Sequence, residues 1–284
     1  MTGRNGPTLR AQWLGQQIKE LRESAGITLR HAADYLERDP STVSRFESAE
    51  YPIRRPDLMA LLDFYRVSDP QRRAGIMTLR EEVWKKGWWD DYADTVDCRF
   101  IDYVWLESRA KEIHSFDSML IPGLLQTPAY AGAAIRAAQP DRADGQVERG
   151  VELRIARQRI LAKDAPCQLR VVLDESVLRR RLVDVGTWRE QLSHLVTCAE
   201  RPNVEIRLLP FDSGLHSNPT GIFKIFVMEN PYPVVAYTET LAGRIYVEEP
   251  VTERFTGTYN RLQSMARSPR ESTELILATV RELA

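Results

Sequence analysis

Residues 28–47 read TLRHAADYLERDPSTVSRFE, and this stretch decides the fold of the first part of the chain. It reads as two short helices joined by a tight turn. Thr28 can cap the first helix, which turns Leu29, Ala32, Ala33 and Leu36 to one side at helical spacing, and the small Ala32 and Ala33 admit a neighbouring helix closely. Asp39 caps the second helix, and Pro40 stands at its first position, where a missing N–H is no loss. Val43 and Phe46 face inward, which leaves Ser41, Thr42, Ser44 and Arg45 facing out. That layout is a helix-turn-helix whose second helix can lie in a DNA major groove with its N-terminal residues at base edges.

Working outward, Leu14, Ile18, Leu21 and Ala25 give a preceding amphipathic helix that Gly26 ends by tolerating a left-handed backbone. Downstream, Arg54 and Arg55 precede Pro56, and Leu58, Leu61, Leu62 and Tyr65 form a fourth apolar stripe. Four short helices in some fifty residues share one small core. From the first helix through S-T-V-S-R-F-E, the run from about Leu14 to Val67 closely resembles the XRE family of bacterial repressors, the lambda-repressor-like domains. The resemblance implies that Ser41, Thr42 and Arg45 face bases and that Thr28 sits by a phosphate. Arg30 joins Thr28 as a phosphate anchor, and Ser44, Arg54 and Arg55 complete the candidate double-stranded DNA contacts. Family members commonly carry Gln or Arg where this chain has Pro40, so a base contact is lost there and specificity falls to its neighbours. The plain alternative is a helical bundle whose outward Ser and Thr are merely solvated.

Residues 1–86 carry 15 Lys and Arg against 12 Asp and Glu, an excess of three. Non-specific affinity from phosphate neutralisation is therefore modest, and a homodimer on two half-sites is the expected remedy. At 284 residues and 43% hydrophobic composition the chain is long enough for two domains with buried cores. No apolar run approaches the roughly 20 residues that span a bilayer, and the first dozen residues lack the apolar region of a secretory signal, so no membrane association is expected. Cys98, Cys167 and Cys198 are odd in number and far apart, which fits reduced thiols of a cytoplasmic, nucleoid-associated protein.

The expected divisions are a flexible arm (1–12), the helix-turn-helix domain (13–67), a linking helix with an acidic aromatic segment (68–99), and an α+β regulatory domain (100–284). Asp69 and Pro70 open the linking helix. Trp88, Trp89 and Tyr92 then stand among Asp90, Asp91, Asp94 and Asp97, as a packed junction or a docking surface. The spacing of Val104, Leu106, Ala110 and Ile113 predicts a helix through YVWLESRAKEIHSF, and Thr127-Pro128 opens another. A charged helix follows over about 146–162, with Arg149, Arg154, Arg157 and Arg159 read as a solvated or partner-facing surface. Strands are expected only past Pro166, in QLRVVLDE, NVEIRLLPF, IFKIFVME, VVAYTE and RIYVEE. Turns are expected at 218–221 and 229–231. The fold class is thus an all-α helix-turn-helix domain followed by an α+β domain with a mostly antiparallel sheet.

The ordered runs YVWLESRAKEI, IPGLLQTPAY, ELRIARQRIL, RVVLDESVLRRRL, RPNVEIRLLPFDSGLH and ETLAGRIYVEEP resemble one uncharacterised regulatory domain. That domain follows an XRE domain in the WhiJ-like regulators typical of actinobacteria, and the match spans nearly all of Gly87 to Ala284. The resemblance implies a regulator, often working with a small partner protein of the BldB-like family encoded nearby. No catalytic residue carries over from it. The residues themselves give no H-E-x-x-H, no cysteine pair at ligand spacing, no nucleophile elbow and no phosphate-binding glycine loop, so neither metal nor cofactor is implied. Asp174 and Glu175 are adjacent on one strand and point to opposite faces, so they cannot act as a carboxylate pair. The loop 212–219 carries His216, a residue type that titrates near neutrality and could sense pH. Three readings stay open for the second domain: a protein-docking module using Trp88, Trp89, Tyr92 and the Arg-rich helix, a small-molecule sensor, or a toxin-antitoxin-like partner that neutralises a small neighbour. An apolar cavity under the sheet favours the sensor, and an exposed apolar patch favours docking.

Overall fold

The structure, a computed structural model, describes residues 7–85, 87–92, 98–218, 221–229 and 232–283. The chain divides into two compact units, the first holding the described residues up to Asp102 and the second those from Tyr103 onward.

The first unit is helical: α1 (Leu9–Ser24), α2 (Leu29–Tyr35), α3 (Pro40–Glu47), α4 (Arg55–Phe64) and α5 (Pro70–Trp84), then a 3-10 turn (Trp88–Tyr92) and the start of α6 (Cys98–Arg109). Thr8, Thr28, Asp39 and Asp69 cap their helices by accepting a hydrogen bond from a backbone amide, three of them as the sequence predicts. Leu14, Ile18, Leu21, Ala32, Ala33, Val43, Phe46, Leu58, Leu61, Leu62 and Tyr65 are all buried. Leu29 and Leu36 are only half-buried and Ala25 is exposed, because the two alanines let the neighbouring helices close over the middle of α2.

Helix α1 reaches into the stretch expected to be a flexible arm. α1 begins at Leu9, where Leu9 and Trp13 are buried and the Arg10 guanidinium donates to the Glu82 carbonyl at 2.7 Å. Residues 1–6, including Arg4, lie outside the described residues, as do Asp94, Asp97 and the middles of the predicted turns at 218–221 and 229–231.

α1 grips α3 in two ways. Arg22 donates to both Glu47 oxygens at 2.6 and 2.9 Å, to the Ile27 carbonyl at 2.9 Å and to Glu23 at 3.3 Å, so this buried cation is paired. Gly15 lies against the end of α3, where a Cβ would stand 2.4 Å from the Glu47 carbonyl oxygen.

The second unit is α+β. Its six-stranded sheet runs β3 (Val204–Leu209), β2 (Gln168–Asp174), β1 (Ala110–Asp117), β4 (Phe223–Met228), β5 (Val235–Thr240), β6 (Gly243–Val247). The β1–β2 and β2–β3 pairings are parallel and the other three antiparallel. β1 falls where the sequence predicts a helix running on through 113, and it is the strand on which the parallel and antiparallel halves meet. The remaining helices are α7 (Pro128–Ala138), α8 (Asp144–Arg157), α9 (Ser176–Arg179), α10 (Val185–Ala199), α11 (Thr252–Met265) and α12 (Pro269–Glu282). α11 covers one face of the sheet, where Tyr259 and Leu262 pack with Phe116, Val172, Leu209, Phe223 and Ile225. Ser268 and Glu271 form the predicted capping box of α12.

Candidate nucleic-acid interface

α3 presents the interface. Pro40 starts it, and the Asp39 carboxylate accepts from the Ser41 amide at 2.8 Å. The Ser41 hydroxyl and amide hold that carboxylate below the usual range, so the cap stays charged near neutral pH. Val43 is fully buried and Phe46 nearly so, which fixes the rotation of the helix. Ser41, Ser44 and Arg45 are then exposed and Thr42 half-buried along one outward edge. Thr28 and Arg30 are exposed at the start of α2, with the Thr28 hydroxyl oxygen accepting from the His31 amide at 3.2 Å. Arg54 and Arg55 are exposed at the start of α4. This surface offers the hydroxyls of Thr28, Ser41 and Ser44 and the guanidinium groups of Arg30, Arg45, Arg54 and Arg55, with the Asp39 carboxylate among them.

Two residues that helical spacing does not single out stand on the same surface. Arg38 lies in the turn between α2 and α3, just after Glu37 at φ 52°, and Tyr51 follows α3 with 55% of its surface exposed. With Thr42, Arg45, Phe46, Pro52, Arg54 and Asp57 they line a concavity of about 340 Å³. The sequence signal was present but weak: an Arg beside a helix cap, and an aromatic side chain outside every apolar stripe.

The other candidates separate. Trp89 is buried at 7% exposure, so its ring has little surface to offer a docking partner. Trp88 and Tyr92 stand edge-on at 6.2 Å, with Trp88 the more open. His216 is half-buried: its Nδ1 accepts from the Asn218 amide at 3.2 Å, its ring meets Phe116 edge-on, and Nε2 lies 3.9 Å from Asp174. It ties the loop after β3 to the end of β2.

Of the arginines expected on a solvated or partner-facing surface, Arg149 and Arg159 are exposed, whereas Arg154 and Arg157 turn inward. Arg157 is buried and makes a two-bonded pair with Glu107 at 2.6 and 2.8 Å beneath the Tyr103 ring. Burial presses its guanidinium toward neutrality, and Glu107 more than reverses that. Arg154 donates to Gln126 at 2.7 Å, and burial pulls it down to about 10. Val147, Gly150, Leu153 and Arg157 are the buried positions of α8, and Val151 and Ile155 are half-buried. The acids of this unit have structural uses. Asp174 accepts from the Ser176 amide, Glu175 holds Arg179 and the Phe211 amide, and Asp117 pairs with Ser115 and Lys224. Among the described residues no cluster of His, Cys, Asp and Glu could hold a metal ion, and no helix is long and apolar enough to cross a membrane.

This geometry defines a helix-turn-helix protein, and the family described as "Helix-turn-helix domain" matches residues 13–75. Such a domain is that of a DNA-binding regulator. The family described as "Domain of unknown function (DUF5753)" matches residues 100–278, and the chain belongs to it. No curated protein and no solved structure is detectably similar to the chain.

Proposed function

We propose that the chain is a sequence-specific transcriptional repressor of the XRE type, working in the cytoplasm on the nucleoid. It binds as a homodimer to two half-sites and occludes a promoter, and its second unit receives a signal by docking a small partner protein. The observation that carries the DNA reading is the outward edge of α3, with Ser41, Thr42 and Ser44 beside Arg45 on a helix whose rotation is set by buried Val43 and Phe46. Thr28, Arg30, Arg54 and Arg55 position the helix on phosphates, and Arg45 makes a bidentate guanine contact. Arg45→Ala should cost about 1–3 kcal/mol of discrimination at one base position. A competition assay that finds operator preference unchanged removes Arg45 from that role.

Docking is supported by a concavity of about 660 Å³ between α9, the end of β3 and α12. Phe211 and Leu275 open onto it at 58% and 42% exposure, which is the exposed apolar surface a partner covers. This surface is preferred as the docking face to the buried Trp89 and the inward Arg154 and Arg157, and the partner is of the small BldB-like kind that the WhiJ-like resemblance implies. One observation favours a small-molecule sensor instead: a concavity of about 450 Å³ lined by Phe223, Phe255, Val251 and Thr238, between the sheet and α11.

The test is fluorescence anisotropy on the DNA upstream of the chain's own gene, with and without the small protein encoded beside it, over a range of salt. Specific, salt-sensitive binding that the small protein abolishes or tightens supports the full reading. Specific binding indifferent to it favours the sensor. Absence of specific binding sinks autoregulation and leaves the antitoxin-like role.

A further inference from the structure

We propose that the concavity beside α3 is a phosphate cradle, in which Arg38, Arg54 and the Tyr51 hydroxyl hold one phosphodiester of the DNA backbone. The inference rests on the reading of the first unit as DNA-binding and adds residues and a role to it.

Charge is the first argument. Residues 1–86 have an excess of only three positive charges, whereas the cradle sets Arg38, Arg45 and Arg54 against the single carboxylate of Asp57. Two-thirds of the excess is therefore concentrated in one hollow. Buried Phe46 gives it an apolar wall, and a low-dielectric wall focuses the field of the three guanidinium groups into the hollow. Neutralisation from within the protein is weak. Arg38 reaches Asp57 only at 3.9 Å, and neither Arg45 nor Arg54 makes an ion pair among the described residues.

Position is the second. The cradle draws on the turn before α3, the outward edge of α3 and the segment that enters α4, so it flanks the base-facing edge on the side where a groove wall runs. Tyr51 forms its lip, with its ring 6.3 Å from Phe46 and the rest open. Pro40 has no side-chain donor to offer a base, so the register of α3 in the groove depends on a backbone grip nearby. Arg45 lines the rim and stays available to a guanine, because Arg38 and Arg54 suffice for a single negative charge.

Phosphate contacts are blind to sequence, so the full chain can be tested on a short random-sequence duplex by anisotropy against salt. Arg38→Ala should reduce the slope of log K on log salt by about 0.9, one phosphate's worth, and weaken binding equally on every duplex. Arg38→Lys keeps the charge and should keep the slope. Tyr51→Phe should weaken binding a few-fold at unchanged slope. Arg72→Ala, an exposed arginine of α5 outside the cradle, serves as the equal-charge control and should leave the slope intact. The cradle is overturned if Arg38→Ala and Arg72→Ala change the slope alike, or if neither changes it. It is also overturned if the Arg38→Ala loss differs between sequences, which makes Arg38 a base reader. A wild-type chain that binds no duplex even at low salt sinks the DNA-binding reading itself.

Discussion

At the scale of single residues, Asp102 accepts a hydrogen bond from the Leu9 amide at 3.0 Å, yet its other carboxylate oxygen has no partner among the described residues. Burial raises its pKa to about 6, with the Leu9 bond and Arg10 only partly opposing. Between about pH 4 and 6 the folded state holds a proton that the unfolded state has released. Stability therefore falls as pH rises across that window, by roughly 3 kcal/mol at most for this group. Asp102→Asn keeps the acceptor for Leu9 and removes the charge, so urea midpoints should lose this part of their pH dependence and rise at pH 7. Equal slopes in wild type and variant between pH 4 and 6 would sink the assignment. Ala49 offers a second test: it ends α3 at φ 58°, where a Cβ is strained. Ala49→Gly should raise stability by about 0.5–1 kcal/mol despite the greater freedom of the unfolded chain.

Single elements differ in how far their sequence announces them. α2 and α3 are legible because each carries its own cap, and α1 and α4 through their apolar stripes, and the candidate DNA contacts follow from the rotation that Val43 and Phe46 impose. β1 is not. Ala110 to Asp117 follows α6 with no Gly, Pro or cap between them, and the helical spacing of α6 runs on through Ile113. Pairing with β2 on one side and β4 on the other overrides that spacing, since both neighbours are far away in sequence. α8 misleads in the same way: an arginine counts as a surface residue until a partner as distant as Glu107 is known. The α1–α3 contact gives an element-scale prediction. Gly15→Ala drives a methyl group into the Glu47 and Phe46 carbonyls, so α3 must shift. A loss of about 1–3 kcal/mol is expected, with weaker DNA binding in the same variant. Unaltered stability in a urea titration would show that the helices do not pack this closely.

For the whole molecule, the division into two units, each with its own core, predicts two unfolding transitions. The first unit is small and relies on the buried Arg22–Glu47 pair and the α1–α3 contact. The second rests on its six-stranded sheet and on the Glu107–Arg157 pair between α6 and α8, both partners almost entirely withdrawn from solvent. Removing one partner of such a pair leaves an uncompensated charge, which costs about 3–5 kcal/mol. Glu107→Gln should accordingly lower one calorimetric transition and leave the other in place, while Gly15→Ala lowers the other alone. If each variant shifts both transitions together, or the protein melts in one step, the two units are thermodynamically coupled. Coupling of that kind is what a signal received by the second unit needs in order to reach α3. Two independent transitions in the free protein would instead require that the docked partner itself create the coupling, and the same scan repeated on the complex would then merge them.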